Sequence, residues 1–147
     1  MARLREFVDR WFDEVWGRRR AERIDEWVAP DCRIHGLPEA GPTGPAGFRP
    51  FYELLTGACV RIDVRIEDSI EAGDKIAVRW RAALEMPDGR THSVRGGGMY
   101  RIRDGRFVEA WDTWDPLALL VDMGVVSPSA FAAAFPKRAP AAATGPA

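Results

Sequence analysis

Trp111-Asp112-Thr113-Trp114-Asp115 is the stretch of this chain best equipped for chemistry. Asp112 stands between two tryptophans. Its number has the same parity as nearly all the large aliphatic residues in four candidate strands between Val60 and Trp114. Shared parity along a strand means a shared face of the sheet. Asp112 is therefore expected to point into an apolar interior. A carboxylate there is costly unless it is paired or protonated. Held near neutrality by burial, it could give a proton to a substrate carbonyl or take an acidic C–H proton. The structural alternative is a strand residue near the sheet edge that bonds a backbone amide or pairs with an arginine.

Other side chains are candidates around it. Trp80, Tyr100 and Trp114 share the even face with Asp112. The two tryptophans are core residues or cover a ligand with one ring, and Tyr100 could offer a hydroxyl inside a cavity. Phe51 belongs to the apolar side of a helix and is a candidate ligand contact. His35 follows Ile34 on a short strand and lies on the opposite face from it, as a structural residue or as a ligand contact. His92 and Glu85 flank the Asp88-Gly89 turn and are expected to pair across strands at the surface. Asp115 precedes Pro116, which reads as a helix N-cap rather than a second catalytic acid. Gly96-Gly97-Gly98 removes side-chain volume from the sheet, which predicts a wider pocket at Gly98. No phosphate-binding glycine loop, zinc-type spacing or nucleophile elbow occurs.

These residues need a scaffold. Leu4, Phe7, Val8, Trp11, Phe12 and Val15 follow helical spacing, with Gly17 as a stop. A shorter helix carries Ala21, Ile24, Trp27 and Val28 and ends at Pro30, and Cys32 to His35 reads as a strand. Gly36 to Gly47 reads as a loop. A third helix carries Phe48, Phe51, Tyr52 and Leu55 and closes at Gly57. It starts near Pro50 or is kinked there. The remainder alternates with period two. Val60, Ile62, Val64 and Ile66 form one strand, and Ile76 to Met86 a second. Val94, Tyr100 and Ile102 belong to a third, and Val108, Ala110, Asp112 and Trp114 to a fourth. Gly73-Asp74, Asp88-Gly89 and Asp104-Gly105 separate them as hairpin turns. A helix opens at Asp115-Pro116 and stops at Gly124. Ser127 to Phe135 allows one or two more helical turns, and Pro136 to Ala147 is Ala- and Pro-rich and expected to be disordered.

The direction of Asp112 depends on register. Even faces are buried together if a three-residue loop with a glycine bulge at Gly105 joins the last two strands. A plain two-residue turn would set Asp112 beside Gly97 instead. The bulged loop is the favoured reading.

Composition narrows the function. The 147 residues are 46% hydrophobic with a net charge of −1. That suits one globular domain over 1–126 with a C-terminal extension over 127–147, and gives no argument for nucleic-acid or membrane partners. The opening Met1-Ala2-Arg3-Leu4-Arg5-Glu6 lacks the apolar run of a secretory signal. Cys32 and Cys59 read as free thiols in a cytoplasmic protein. Arg61, Asp63, Arg65, Glu67, Arg79, Arg81, Arg101 and Arg103 share the odd face, as a solvated surface or a charged interface.

The order of elements, three helices and a short strand followed by a long antiparallel meander, resembles the cone-shaped α+β fold of the nuclear-transport-factor-2-like (cystatin-like) superfamily. Within it, Arg33-Ile34-His35-Gly36, Thr43-Gly44-Pro45-Ala46-Gly47-Phe48 and Gly73-Asp74-Lys75-Ile76-Ala77-Val78-Arg79-Trp80 are similar to the SnoaL-like polyketide cyclases. So are Tyr100-Arg101-Ile102-Arg103-Asp104-Gly105-Arg106-Phe107 and Glu109-Ala110-Trp111-Asp112-Thr113-Trp114-Asp115. The resemblance spans about Leu4 to Gly124. It implies N-terminal helices packed on a curved antiparallel sheet, and a cofactor-independent cyclase or isomerase (lyase-type) with Asp112 as general acid/base for an aldol-type ring closure. It also implies a homodimer through the outer sheet face. The family's polar partner, often a histidine, falls at Gly98 here. A non-catalytic binding module of the same fold is the alternative, and epoxide hydrolase or dehydratase chemistry is less favoured because no Asp–Arg–Asp set faces the pocket.

Overall fold

The computed structural model describes residues 3–38, 40–41 and 43–140. Helix α1 (Arg3–Trp11) runs on as a π-helical turn over Phe12–Gly17. Together they bury Val8, Trp11, Phe12, Val15 and Trp16, while Leu4 and Phe7 of the predicted stripe are half-buried against the core. The helical run ends at Gly17, as expected. Two residues later Arg19 takes the left-handed conformation at φ 57°. From there the Arg19 guanidinium donates to the carbonyls of Cys59 at 3.1 Å and Val60 at 2.8 Å, and to that of Thr56. It thereby serves carbonyls that the end of the third helix leaves without partners.

A single 3-10 turn (Ala21–Arg23) leads into α2 (Ile24–Trp27). Strand β1 (Val28–His35) begins at once, so Val28 belongs to the strand and Pro30 lies inside it rather than ending the helix. Helix α3 (Gly44–Ala58) starts one turn before the expected point, with Pro45 in its first turn, where the missing N–H costs nothing. It runs through Pro50, whose ring sits on the exposed side, and through Gly57 to Ala58.

Strands β2 (Arg61–Ala72), β3 (Lys75–Glu85), β4 (Thr91–Arg103) and β5 (Arg106–Trp114) form the antiparallel meander. Strand β1 adds parallel to β5, giving a five-stranded sheet of order β1-β5-β4-β3-β2. The helices cover one face, as expected for an α+β cone. Two further helices follow, α4 (Pro116–Asp122) and α5 (Ala130–Ala133). The tail expected to lack structure includes 141–147, which lie outside the described residues.

The register is where the chain departs from expectation. Asp104 at φ 49° and Gly105 at φ 71° form a two-residue turn, with Arg103 opposite Arg106 and Ile102 opposite Phe107. Asp-Gly with both φ values positive is the favoured hairpin turn, so the bulged loop at Gly105 is not used. The extra residue appears instead at Val108, between the Ile102–Phe107 and Arg101–Glu109 pairs. This bulge puts Phe107 on the inner face, against Phe7, Trp11 and Tyr100 at ring distances of 5.0–5.3 Å. It also restores even parity beyond it. Tyr100 is opposite Ala110, and Gly98 is opposite Asp112.

Candidate functional site

Inner-face residues of the sheet and the aromatic side chains of α1 and α3 enclose an apolar cavity of about 120 Å³. Phe51, Trp80, Tyr100, Asp112 and Trp114 all line it. Phe51 and Trp114 meet at a ring distance of 6.4 Å, tying α3 to the last strand. Among the described residues lining the cavity, Asp112 is the one carboxylate. It also borders a shallow outer groove with Leu37, Trp114 and Leu119, so it stands between interior and exterior.

The loop after β1 reaches Asp112 through Gly36. That residue has φ +88°, and a Cβ on it would lie 1.9 Å from the Asp112 carbonyl oxygen. Only glycine allows so close an approach in that conformation.

The Tyr100 hydroxyl donates to Asp112 Oδ1 at 2.8 Å. Burial pushes the Asp112 carboxyl up from 3.8 to about 7, and the Tyr100 hydrogen bond pulls it part of the way back. Burial, followed by the nearby Asp112 charge, holds the Tyr100 phenol well above its ordinary value, so it remains a donor. Asp112 can thus hold or release a proton near neutral pH, the range in which a general acid or base is most useful.

Gly98 lies directly across from Asp112, but it does not widen the pocket. A Cβ on Gly98 would lie 2.2 Å from the Tyr100 hydroxyl oxygen, and one on Gly96 would lie 2.4 Å from the Trp80 ring. The niches at Gly98 and Gly96 are filled by aromatic rings, which corrects the expectation of extra open volume.

His35 is not brought to Asp112. It lies half-exposed on the outer face, bonds Glu109 Oε1 through Nε2 at 3.2 Å and stacks on Trp111 at 5.5 Å. Parallel pairing sets Ile34 beside Ala110 and His35 beside Trp111, so Ile34 faces the cavity. Glu109 is buried on that outer face. Its desolvation is outweighed by His35, Arg33 and Arg101, which leave it below the ordinary carboxylate range. Two carboxylates three residues apart thus have opposite tendencies, set by which face they occupy.

His92 is not at the surface with Glu85. It is buried on the inner face opposite Leu84, and its Nδ1 lies 2.6 Å from Asp122 Oδ2 on α4. Asp115 caps α4, accepting from the Ala118 N–H at 2.9 Å. Arg49 pairs with Asp25 and Arg79 with Glu67, so neither approaches Asp112 to build an Asp–Arg–Asp set.

Sequence reasoning missed several lining residues: Cys32, Ile34, Leu37, Phe107 and Leu119. Leu119 was accessible from the amphipathic run after Asp115, whereas Phe107 required knowledge of the bulge. Burial, with help from neighbouring carboxylates, pushes the Cys32 thiol up to about 12, so it stays protonated and is no nucleophile. Among the described residues, no group of three His, Cys, Asp or Glu side chains could hold a metal, and no helix is long and apolar enough to cross a membrane.

Known structures share this fold. A candidate polyketide cyclase of Acidithiobacillus ferrooxidans matches with TM-score 0.69 at 21% identity, over 81% of this chain and 92% of that one. TsrD from Streptomyces laurentii matches with TM-score 0.72 at 20% identity, over 85% and 97%. IdmH of Streptomyces antibioticus, described as a candidate polyketide cyclase, matches with TM-score 0.68 at 26% identity, over 82% and 97%. No curated protein matches the sequence. The family model for the SnoaL-like domain matches residues 8–110, and the chain belongs to that family.

Proposed function

We propose that the protein binds a small, largely apolar carbonyl compound in the cone and isomerises it by acid–base catalysis at Asp112. The observation that carries this reading is a lone carboxylate, titrating at about 7, in a cavity otherwise lined by hydrocarbon, rings and a thiol. The cavity is smaller than the roughly 300–1,000 Å³ typical of pockets for drug-sized ligands, which favours a molecule of one or two rings. Ionised Asp112 removes a proton from the carbon beside one carbonyl, giving an enolate. The enolate carbon attacks a second carbonyl in the same molecule, forming the ring C–C bond and an alkoxide. Neutral Asp112 returns the proton to the alkoxide oxygen. Atoms and charge balance without an external oxidant or reductant, as an aldol-type closure requires.

The same reading places the protein in the cytoplasm, with its two buried cysteines as thiols, and pairs two copies through the outer sheet face. There Arg79 and Arg81 bracket Glu67, and Met99 is exposed. Light scattering in solution tests the dimer. The chemistry is tested with a flexible aryl diketone able to close a six-membered ring. Wild type should convert it, and Asp112→Asn should lose about 10²–10⁴-fold in rate. Equal turnover by both proteins would refute the role of Asp112. A ligand that binds, quenches tryptophan fluorescence and returns unaltered would favour a binding module.

A further inference from the structure

We propose that Tyr100 is the positioning residue of this site: Gly98 vacates the niche into which the Tyr100 ring folds, so that its hydroxyl fixes Asp112 Oδ1 and leaves Oδ2 to meet the substrate. This inference rests on the acid–base reading of Asp112 and adds a second residue and a reason for the glycine.

The geometry is specific. Tyr100 and Gly98 are two apart on β4 and share the inner face, and Gly98 is the direct cross-strand neighbour of Asp112. A side chain at position 98 would stand between Asp112 and anything further along β4. With glycine there, the ring of Tyr100 leans back over the gap. A Cβ at 98 would meet its hydroxyl oxygen at 2.2 Å, Cζ at 2.3 Å and Cε1 at 2.8 Å. Such overlaps cannot be relieved without moving the ring, so Gly98 and the Tyr100–Asp112 bond come as a unit. Oδ1 is occupied at 2.8 Å, while Oδ2 accepts no hydrogen bond from any described residue.

The arrangement also solves an acidity problem. A carboxyl buried among rings with no donor stays neutral far above its ordinary range and is useless as a base. A hydrogen bond to the ionised form pulls it back toward neutrality, and the Tyr100 hydroxyl supplies that bond. Phenylalanine would fill the same volume, so packing alone does not explain a tyrosine at this point. The phenol stays protonated because it is buried beside a carboxylate, and hence it orients and tunes Asp112 without itself accepting the substrate proton.

Carboxyl-carbon NMR of aspartate-labelled protein tests this without a substrate. The Asp112 resonance is identified by its loss in Asp112→Asn. In wild type it should titrate at about 7. Tyr100→Phe should move that midpoint up by about one to two pH units, as expected for loss of a hydrogen bond to a charged group. Gly98→Ala should move it in the same direction by displacing the ring, and the double variant should titrate no higher than the single variants. Near-ultraviolet circular dichroism of each variant checks that the aromatic core is kept. A Tyr100→Phe midpoint equal to wild type overturns the role of Tyr100 and leaves the role of Asp112 standing. A wild-type midpoint near 4 overturns the reading of Asp112 itself.

Discussion

Replacing Asp112 by asparagine should stabilise the protein in alkaline solution and leave it nearly unchanged in acid. The carboxyl titrates at 3.8 when unperturbed and at about 7 in the folded protein. Between those values the folded state holds more protons than the unfolded chain, so stability falls as pH rises through that interval and the loss is complete above it. At about 1.4 kcal/mol per pH unit, the interval corresponds to about 4 kcal/mol. Water drawn to the ionised group reduces that, which gives an expected range of about 2–4 kcal/mol. Asparagine is close to isosteric, cannot ionise, and its Oδ1 still accepts from Tyr100. In a domain of this size each kcal/mol moves Tm by about 3 °C. The variant should therefore melt about 6–12 °C above wild type at about pH 8.5 and within about 2 °C of it at about pH 4. Calorimetry across that range is the assay. A difference that does not change with pH, or a variant less stable than wild type in alkali, would overturn this expectation. Either result would mean that the ionised carboxylate is solvated or paired with a cation.

Gly36→Ala places a methyl group 1.9 Å from the Asp112 carbonyl at a positive φ, whereas the same change at Gly105 meets nothing within 4 Å. The first should cost more than about 3 kcal/mol in chemical denaturation and the second about 1 kcal/mol, the conformational term alone. Asp122→Ala removes the partner of buried His92, which ties α4 to β4. Amide exchange over Leu119–Met123 should quicken by about tenfold or more while β3 amides are unaffected, as loss of one hydrogen bond at a helix end predicts.

The inward direction of Asp112 was legible because side chains alternate strictly along a strand, and the even-numbered residues of β2, β3 and β4 left little choice of face. The turn that sets it was not. Phe107 and Val108 are adjacent and both apolar, so alternation cannot say which one faces the core. The structure chooses the larger ring and bulges at Val108. Helix α3 was placed late because Pro50 reads as a boundary. Its exposed position and the turn opened by Pro45 let the helix begin at Gly44. The partners of His35 and His92 were not legible for a common reason. Each owes its partner to pairing across long sequence separation, Glu109 through the parallel β1–β5 contact and Asp122 through the packing of α4. The bond between Tyr100 and Asp112 was hidden because it depends on a ring filling the space above a glycine. A run of three glycines read from sequence looks like a gap in a wall.

In the proposed chemistry Asp112 exchanges protons with a carbonyl compound inside the cone. Deuterium uptake beside the carbonyl of β-tetralone, a small apolar ketone with acidic C–H bonds, measures that exchange in heavy water by NMR. Wild type should accelerate uptake over buffer, with a rate that rises as Asp112 ionises around neutral pH, and Asp112→Asn should fall back to the buffer rate. Acceleration that survives in Asp112→Asn would mean that Asp112 is not the base.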